Sequence, residues 1–320
     1  MAKYKVVLTD ERHASYDIER NILKQADAEL VICHCVTEQD VIDACKDADG
    51  ILLDMAPMTA NCIHSLEKCK VINRYGVGYD NVDVPAATAK GIQVCNVPDY
   101  CALDVSDHAL ALLMSCLRQV PLRDRLVRQG TWNIQSTASC RLHGKTLGVL
   151  GAGRIARELI KKTVGFGFKE VLAYDPYVSE AVLAELGVKK ATKEEVLSQA
   201  DFISLHMPVT PETRGMINDE AIALMKPTAI LINTGRGPLV DDKALVKALK
   251  ENRIAFAGLD THCQEPLPSD SPYKNLDNVV LTDHTAYNTA EGVVELKTKS
   301  AQNIVDVLLG QTVKYPVNHL

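Results

Sequence analysis

Three side chains of complementary chemistry each follow a short apolar run. Arg236 lies in Asn233-Thr234-Gly235-Arg236-Gly237-Pro238, and Glu265 in Asp260-Thr261-His262-Cys263-Gln264-Glu265-Pro266. His284 lies in Thr282-Asp283-His284-Thr285-Ala286-Tyr287. An arginine presents a planar fork that matches a carboxylate bidentately. A histidine titrates near neutral pH and suits proton transfer. A glutamate beside it holds the imidazole and favours its protonated form. Taken singly, each has a plain structural reading: a surface arginine in a glycine turn, a loop acid before proline, a hydrogen-bonded core histidine. Their recurrence at successive strand ends favours chemistry, because open α/β sheets bind ligands there.

A second motif precedes them. Lys145–Leu150 runs into Gly151-Ala152-Gly153-Arg154-Ile155-Ala156, the pattern GxGxxA between a strand and a helix. Gly151 permits the tight turn, Gly153 lets a pyrophosphate approach the backbone, and Ala156 lets helix and strand lie close. The helix N-terminus then offers unpaired N–H groups and a positive dipole end to phosphates. The next strand ends in Ala173-Tyr174-Asp175. An acid there accepts hydrogen bonds from ribose hydroxyls and repels a 2′-phosphate, so the cofactor expected is NAD rather than NADP.

The elements that must position these groups alternate in type. Lys5–Leu8, Glu29–Cys33, Gly50–Leu53, Val71–Asn73 and Gln93–Asn96 read as strands, with helical stretches such as Glu38–Lys46 between them. A long helix opens at Ala102 with an apolar face reaching Val120, is interrupted at Pro121, and resumes over Leu122–Arg128. Surface connections are expected at Gly130–Asn133 and Cys140–Gly144. A second series has strands at Thr146–Leu150, Glu170–Tyr174, Phe202–Leu205, Ala229–Asn233, Phe256–Leu259 and Val279–Thr282. The helix Asp241–Lys250 carries acid first and base last, as the macrodipole favours. A closing helix, Ala290–Leu309, ends at Gly310, and the tail Val313–Asn318 reads as extended. The fold class expected is α/β with two doubly wound parallel sheets. Residues 102–290 form a Rossmann-type cofactor domain. Residues 1–101 and 291–320 form the other domain, discontinuous because the last helix crosses back to it.

Composition narrows the function classes. The chain has 320 residues, 47% of them apolar and 24% charged, which fits a globular protein with a sizeable core. It carries 35 basic and 41 acidic residues for a net charge of −6, so no basic field attracts nucleic acid. The first apolar run, Val6-Val7-Leu8, is too short for a signal-peptide core or a membrane span, which predicts a soluble, cytoplasmic protein with no membrane partner. The 10 cysteines include no CxxC and read as reduced, mostly buried thiols. Cys33-His34-Cys35 looks like a metal fragment, but alternation along a strand would send the cysteines and His34 to opposite faces, and no metal is expected.

The sequence resembles the D-isomer-specific 2-hydroxyacid dehydrogenases over nearly its whole length. The resemblance rests on Arg74-Tyr75-Gly76-Val77-Gly78-Tyr79-Asp80-Asn81-Val82-Asp83, on Asn96-Val97-Pro98-Asp99-Tyr100, on Gly151–Ala156, on Leu205-His206-Met207-Pro208 with Thr213, and on the Arg236, Glu265 and His284 segments. The stretch through Cys101 and the aromatic Tyr287 are most similar to the subgroup of C-terminal-binding-protein-like bacterial dehydrogenases. This implies that the discontinuous domain is flavodoxin-like and holds substrate. It implies that Arg236 binds the substrate carboxylate and carbonyl oxygen, that His284 is the acid/base, and that Glu265 orients it. Tyr75, Gly76, Val77 and Gly78 would offer backbone N–H groups to the carboxylate. Asp260 would hold the nicotinamide carboxamide and Asp175 the adenosine ribose, while Pro208, Thr213 and Thr234 line the cofactor. Arg154, Ile155, His206, Gly235 and Ala286 complete the implied cofactor set.

Three departures stand out. Asp283 precedes the histidine where the family usually has proline, and would either raise its pKa or point to solvent. Thr261-His262 follows Asp260 where the family often has Val-Phe, which places a second histidine near the site in a supporting role. Cys263, near the pocket, has two readings, a redox-sensitive thiol and the plainer one of an unreactive loop thiol. The function implied is reversible hydride transfer between NADH and a small 2-oxo acid such as glyoxylate, hydroxypyruvate or pyruvate. Alternatives are 3-phosphoglycerate oxidation, disfavoured because the chain length leaves no appended regulatory domain, and an NADH-sensing corepressor-like binding protein. Met55, Met58, Tyr75 and Tyr287 are candidate pocket liners. The apolar helix from Ala102 and the arm near Trp132 predict a homodimer through the 102–140 region.

Overall fold

Short β-branched runs become parallel strands, and the stretches between them become helices that return the chain to the same sheet edge. The computed structural model describes residues 2–132 and 139–320. Two units result, one of residues 1–101 with 289–320 and one of residues 102–288.

In the first unit the elements run β1 (Tyr4–Leu8), α1 (Asp17–Leu23), β2 (Ala28–Ile32), α2 (Glu38–Cys45), β3 (Gly50–Leu53), α3 (Ala60–Ser65), β4 (Val71–Arg74), α4 (Val84–Ala89) and β5 (Gln93–Cys95). All pairings are parallel, in the order β2-β1-β3-β4-β5, which is the flavodoxin-like order. β3 is buried along its whole length, as a central strand covered on both faces must be. The C-terminal helix, Ala290–Leu308, packs on α1, β3 and β4. Its buried Asn303 donates to Asn73 Oδ1 at 2.8 Å and to the Asn96 carbonyl at 3.1 Å. The tail then runs against β5, where the Val94 N–H donates to Asn318 Oδ1 at 2.7 Å.

The second unit begins with α5 (Ala102–Arg118) and α6 (Val120–Arg128). It continues β6 (Thr146–Leu150), α7 (Arg154–Lys162), β7 (Glu170–Tyr174), α8 (Glu180–Ala184), β8 (Lys189–Lys190), α9 (Lys193–Gln199) and β9 (Phe202–Leu205). It closes with α10 (Asp219–Leu224), β10 (Ile230–Asn233), α11 (Asp242–Lys250), β11 (Phe256–Leu259) and β12 (Val279–Leu281). The seven-stranded sheet has the order β12-β11-β10-β9-β6-β7-β8, so the winding reverses between β6 and β9. That switch point is where a doubly wound sheet opens a crevice for ligand. β6, β9 and β10 are buried throughout. α5 packs on α7, β10 and β11. α9 lies so close to β6 that a Cβ on Gly148 would stand 2.6 Å from Val196 Cγ1 and 2.8 Å from Ala200 Cβ.

The α/β class and both parallel sheets follow the expectation, and several local expectations are corrected. The long helix breaks at Gln119, which is left-handed at φ 54°, rather than at Pro121. Proline fits the first turn of a helix, where no N–H is required, so Pro121 begins α6 instead of ending α5. β8 carries no apolar signal and was not expected. β2 stops at Ile32, so strand alternation does not govern Cys33-His34-Cys35. There the Cys35 N–H donates to the Thr9 carbonyl, Cys35 is buried, and His34 is exposed. The expected surface connection at Asn133 lies outside the described residues.

Candidate active site

The glycine turn is built by steric exclusion. Gly151 has φ 91°, and a Cβ there would meet the His206 carbonyl carbon and oxygen, each at 2.8 Å. Only glycine fits that approach. Gly153 caps α7 with no side-chain partner, and nothing lies within 4 Å of where its Cβ would be. The first-turn amides of Arg154 and Ile155 have no side-chain cap, and fully buried Ala156 keeps the helix on the sheet. Asp175 at the end of β7 reaches back to this loop. Its Oδ2 accepts from the Ala152 N–H at 2.8 Å, and its Oδ1 from the Tyr177 and Val178 amides at 2.8 and 3.1 Å. Oδ2, with one donor, retains a position for another, while Oδ1 already holds two.

After β9, His206 shares a hydrogen with Ser204 Oγ at 2.8 Å, and burial pushes its pKa down to about 4, so it is neutral at pH 7. The following loop is knotted by Thr213, whose hydroxyl donates to the Pro208 carbonyl at 2.7 Å and accepts from the Thr210 N–H. After β10, buried Asn233 ties both ends of a tight turn. Its Oδ1 accepts from the Gly235 N–H at 3.1 Å, and its Nδ2 donates to the Arg236 carbonyl at 2.9 Å. Thr234 is buried, and its Oγ1 has no partner among the described residues. An orphaned hydroxyl past β10, on the same sheet as the uncapped glycine turn past β6, fits a polar ligand, and the donor set fits a dinucleotide.

Arg236 is half-buried, and its Nη1 donates to the Gly235 carbonyl at 2.9 Å. Gly237 carries this turn onto the next one: a Cβ there would lie 2.0 Å from the His262 carbonyl carbon. The His262 N–H in turn donates to Glu265 Oε1 at 2.9 Å. Glu265 Oε2 lies 2.7 Å from His284 Nδ1. Thus the three turns expected to carry the chemistry touch one another through backbone and side chain. Burial alone would raise the Glu265 carboxyl, but the bonds from His284 and the His262 N–H outweigh it and hold it below the ordinary range. An ionised Glu265 accepts from Nδ1–H, which leaves Nε2 of His284 for a reacting group. The Tyr287 ring stands edge-on to the imidazole, 6.3 Å between centroids.

His284 has φ 58°, a left-handed conformation that a non-glycine residue holds only when its surroundings impose it. Asp260 imposes it. Its carbonyl accepts from the His284 N–H at 2.8 Å. Its Oδ1 accepts from Thr282 Oγ1 at 2.6 Å and from the Thr285 N–H at 3.0 Å, and its Oδ2 from the Ala286 N–H at 3.1 Å. Burial would raise this carboxyl, yet hydrogen bonds from His108, Thr282 and the Ala286 N–H hold its pKa at about 2. One acceptor position remains on Oδ2.

The departures now have positions. Asp283 is exposed and accepts from the Thr285 hydroxyl at 2.9 Å. His262 is buried, with Nε2 2.9 Å from the Thr282 carbonyl. The Cys263 thiol is pushed up to about 12 by burial and by Asp242, which makes it a poor nucleophile at neutral pH.

The loop 75–78 belongs to the first unit. The Tyr75 N–H donates to the Leu53 carbonyl at 2.7 Å, and the Gly76 N–H to the Arg74 carbonyl at 3.0 Å. The Tyr75 hydroxyl points inward and donates to buried Glu19 at 2.6 Å. Four expected amide donors therefore narrow to two, since Val77 and Gly78 have N–H groups with no partner among the described residues. Gly76 has φ 139°, so the loop requires glycine there. Met58 is fully buried in the core, which corrects its reading as a pocket liner, while Met55 is exposed. Sequence reasoning missed His108, which lies on α5 with its Nε2 2.9 Å from Thr282 Oγ1. Its spacing from Val105 and Leu112 put a lone histidine on the buried face, a signal that was there to read.

Comparison with known proteins gives a consistent picture. Residues 110–286 match the family model described as D-isomer specific 2-hydroxyacid dehydrogenase, NAD binding domain. The chain is similar to a D-3-phosphoglycerate dehydrogenase of Methanocaldococcus jannaschii, 39% identical over 316 residues, covering 98% of this chain and 59% of that protein. It is similar to a glyoxylate reductase of Korarchaeum cryptofilum, 41% identical over 276 residues, covering 85% of this chain and 83% of that protein. The chain thus spans little more than half the length of the phosphoglycerate dehydrogenase. Among solved structures, D-lactate dehydrogenase from Aquifex aeolicus complexed with NAD and lactic acid superposes with a TM-score of 0.86 at 28% identity, covering 98% of this chain and 99% of that one.

Proposed function

The chain belongs to the family of D-isomer-specific 2-hydroxyacid dehydrogenases, and from that premise we propose that it is an NAD-dependent oxidoreductase interconverting a small 2-oxo acid and its D-2-hydroxy acid. The observation that carries the reading is the 2.7 Å bond between Glu265 and His284 Nδ1, which leaves Nε2 for the substrate oxygen. A nicotinamide held there would supply the hydride. Protonated His284 gives its Nε2 proton to the carbonyl oxygen as negative charge develops there, and takes it back in the reverse direction. Glu265 stabilises the imidazolium and fixes its plane. Arg236 grips the substrate carboxylate and draws charge from the carbonyl. The amides of Val77 and Gly78 are donors suited to an anion. The glycine turn, Thr234, the remaining Oδ2 position of Asp260 and the carboxylate of Asp175 would hold the dinucleotide, and Asp175 favours NAD over NADP.

Within the substrate class we favour an unphosphorylated acid of glyoxylate, hydroxypyruvate or pyruvate size. Arg74, the cation nearest the amide loop in sequence, is engaged within its own unit: it lies 3.7 Å from Asp54, which Arg12 also approaches at 3.3 Å, and it donates to the Tyr75 carbonyl at 2.5 Å. The 3-phosphoglycerate reading is second, supported by the name of the Methanocaldococcus relative. The role assignment is tested by a kinetic split. Arg236→Ala raises KM for the 2-oxo acid roughly 10- to 100-fold, the loss of a charged hydrogen-bonded pair. His284→Ala lowers kcat roughly 100- to 10,000-fold, the usual contribution of a general acid. Full activity in both variants overturns the assignment.

The same reading includes a homodimer through the helical region that starts at Ala102. Leu103, Met114, Val120 and Val127 expose apolar side chains along α5 and α6, which supports a covered face. Light scattering at micromolar concentration gives the mass of a dimer, and a monomer overturns this part.

A further inference from the structure

We propose that His108 and His262 are positioning residues that clamp Thr282, one through its side chain and one through its backbone, and thereby set the turn that carries His284. The inference rests on the reading of His284 as the acid/base.

The direction of each bond follows from its partners. Thr282 Oγ1 gives its one hydrogen to Asp260 Oδ1 at 2.6 Å, so the contact with His108 Nε2 at 2.9 Å has the imidazole donating. The same Nε2 lies 3.4 Å from Asp260 Oδ1, within the field of the carboxylate it helps to fix. His262 Nε2 faces the Thr282 carbonyl at 2.9 Å, and a carbonyl only accepts, so this imidazole also donates. Its Nδ1 is buried and without a partner among the described residues. Among the described residues the Thr282 bond is thus the one polar tie of the His262 ring.

The clamp matters because of what it holds. Thr282 is two residues before His284, whose φ of 58° is a conformation the chain leaves unless constrained. Asp260 bonds the amides of His284, Thr285 and Ala286, but it reaches the start of the turn only through the Thr282 hydroxyl. His108 from α5 and His262 from the loop after β11 fix that start from two elements. His262 also donates its backbone N–H to Glu265 at 2.9 Å, so one residue ties both partners of the acid/base pair. Small displacements of such a pair are costly in rate.

The experiment compares His108→Leu and His262→Leu with His108→Gln and His262→Gln, whose amide nitrogen restores a donor near the Nε2 position. Each is measured for kcat, KM of the 2-oxo acid and Kd of NADH, with His284→Gln alongside. The expected result is a fall in kcat of about tenfold in each leucine variant, the loss of one buried hydrogen bond expressed as rate, with the Kd of NADH unchanged and most of the loss recovered by glutamine. Thr282→Val removes the hydroxyl at nearly constant volume and, because it also takes away the bond to Asp260, lowers kcat at least as far as His108→Leu. In the Thr282→Val background, His108→Leu then costs less than it does alone, the remainder passing through its 3.4 Å approach to Asp260. Unchanged kcat in the leucine variants, with His284→Gln inactive, overturns the clamp and leaves the acid/base reading standing. Full turnover in His284→Gln overturns the acid/base reading itself. Additive losses in the double variant also overturn the clamp, because they place His108 outside the Thr282 bond.

Discussion

At the scale of single residues, the site is organised around one buried carboxylate. Asp260 keeps its charge in a position where burial opposes it, because four donors surround it. Its pKa of about 2 in the folded protein lies below its ordinary 3.8. A depressed carboxyl stabilises the folded state above its unfolded pKa, and that contribution is lost as pH falls toward the folded value. The shift corresponds to about 2 kcal/mol at neutral pH. Asp260→Asn therefore unfolds at lower denaturant concentration at pH 7, and its deficit narrows as the pH drops below 3.8. A deficit that stays constant from pH 7 to pH 3 contradicts this account. Residue types at 236, 265 and 284 stand out in the sequence because arginine, glutamate and histidine past apolar runs are rare in a plain core. The direction of a side chain beyond a strand end is not written in any period. That is why Tyr75 turned inward to Glu19, and why Met58 went to the core rather than to a pocket.

At the scale of elements, the sheet that carries the site depends on close approach. Gly148 in β6 admits α9 against the strand, with Val196 and Ala200 where a Cβ would need to be. Gly148→Ala is expected to cost roughly 1–3 kcal/mol, the range for overpacking, and Val196→Ala in the same chain recovers part of it. Strictly additive losses in urea unfolding contradict the packing argument. Elements with β-branched cores were legible, since Gly50–Leu53, Thr146–Leu150 and Phe202–Leu205 are continuous apolar or small-residue runs with clear ends. Two features were not. β8 is two lysines whose only qualification is an open edge beside β7. The α5–α6 break is set by the left-handed Gln119, which no local sequence signal marks as strongly as the proline two residues later.

At the scale of the whole molecule, each unit supplies separate chemistry. Residues 102–288 hold the glycine turn, the orphaned Thr234 hydroxyl and the Glu265–His284 pair. Residues 1–101 with 289–320 hold the two open amides of the 77–78 loop on a flavodoxin-like sheet. The fold class was legible from the alternation of strands and helices alone, because parallel sheets need helical crossovers. The substrate side chain was not, because pocket shape depends on side-chain directions that the pattern leaves open. The central claim is that His284, held by Glu265, moves the proton in the reduction of a small 2-oxo acid. The most direct test is NADH consumption by the wild-type and His284→Ala proteins across glyoxylate, pyruvate, hydroxypyruvate and branched, aromatic and phosphorylated 2-oxo acids. The account predicts turnover of a small unphosphorylated member, lost by roughly 100-fold or more in the variant while NADH still binds. Equal turnover by both proteins, or silence across the panel from a wild-type protein that binds NADH, would contradict it.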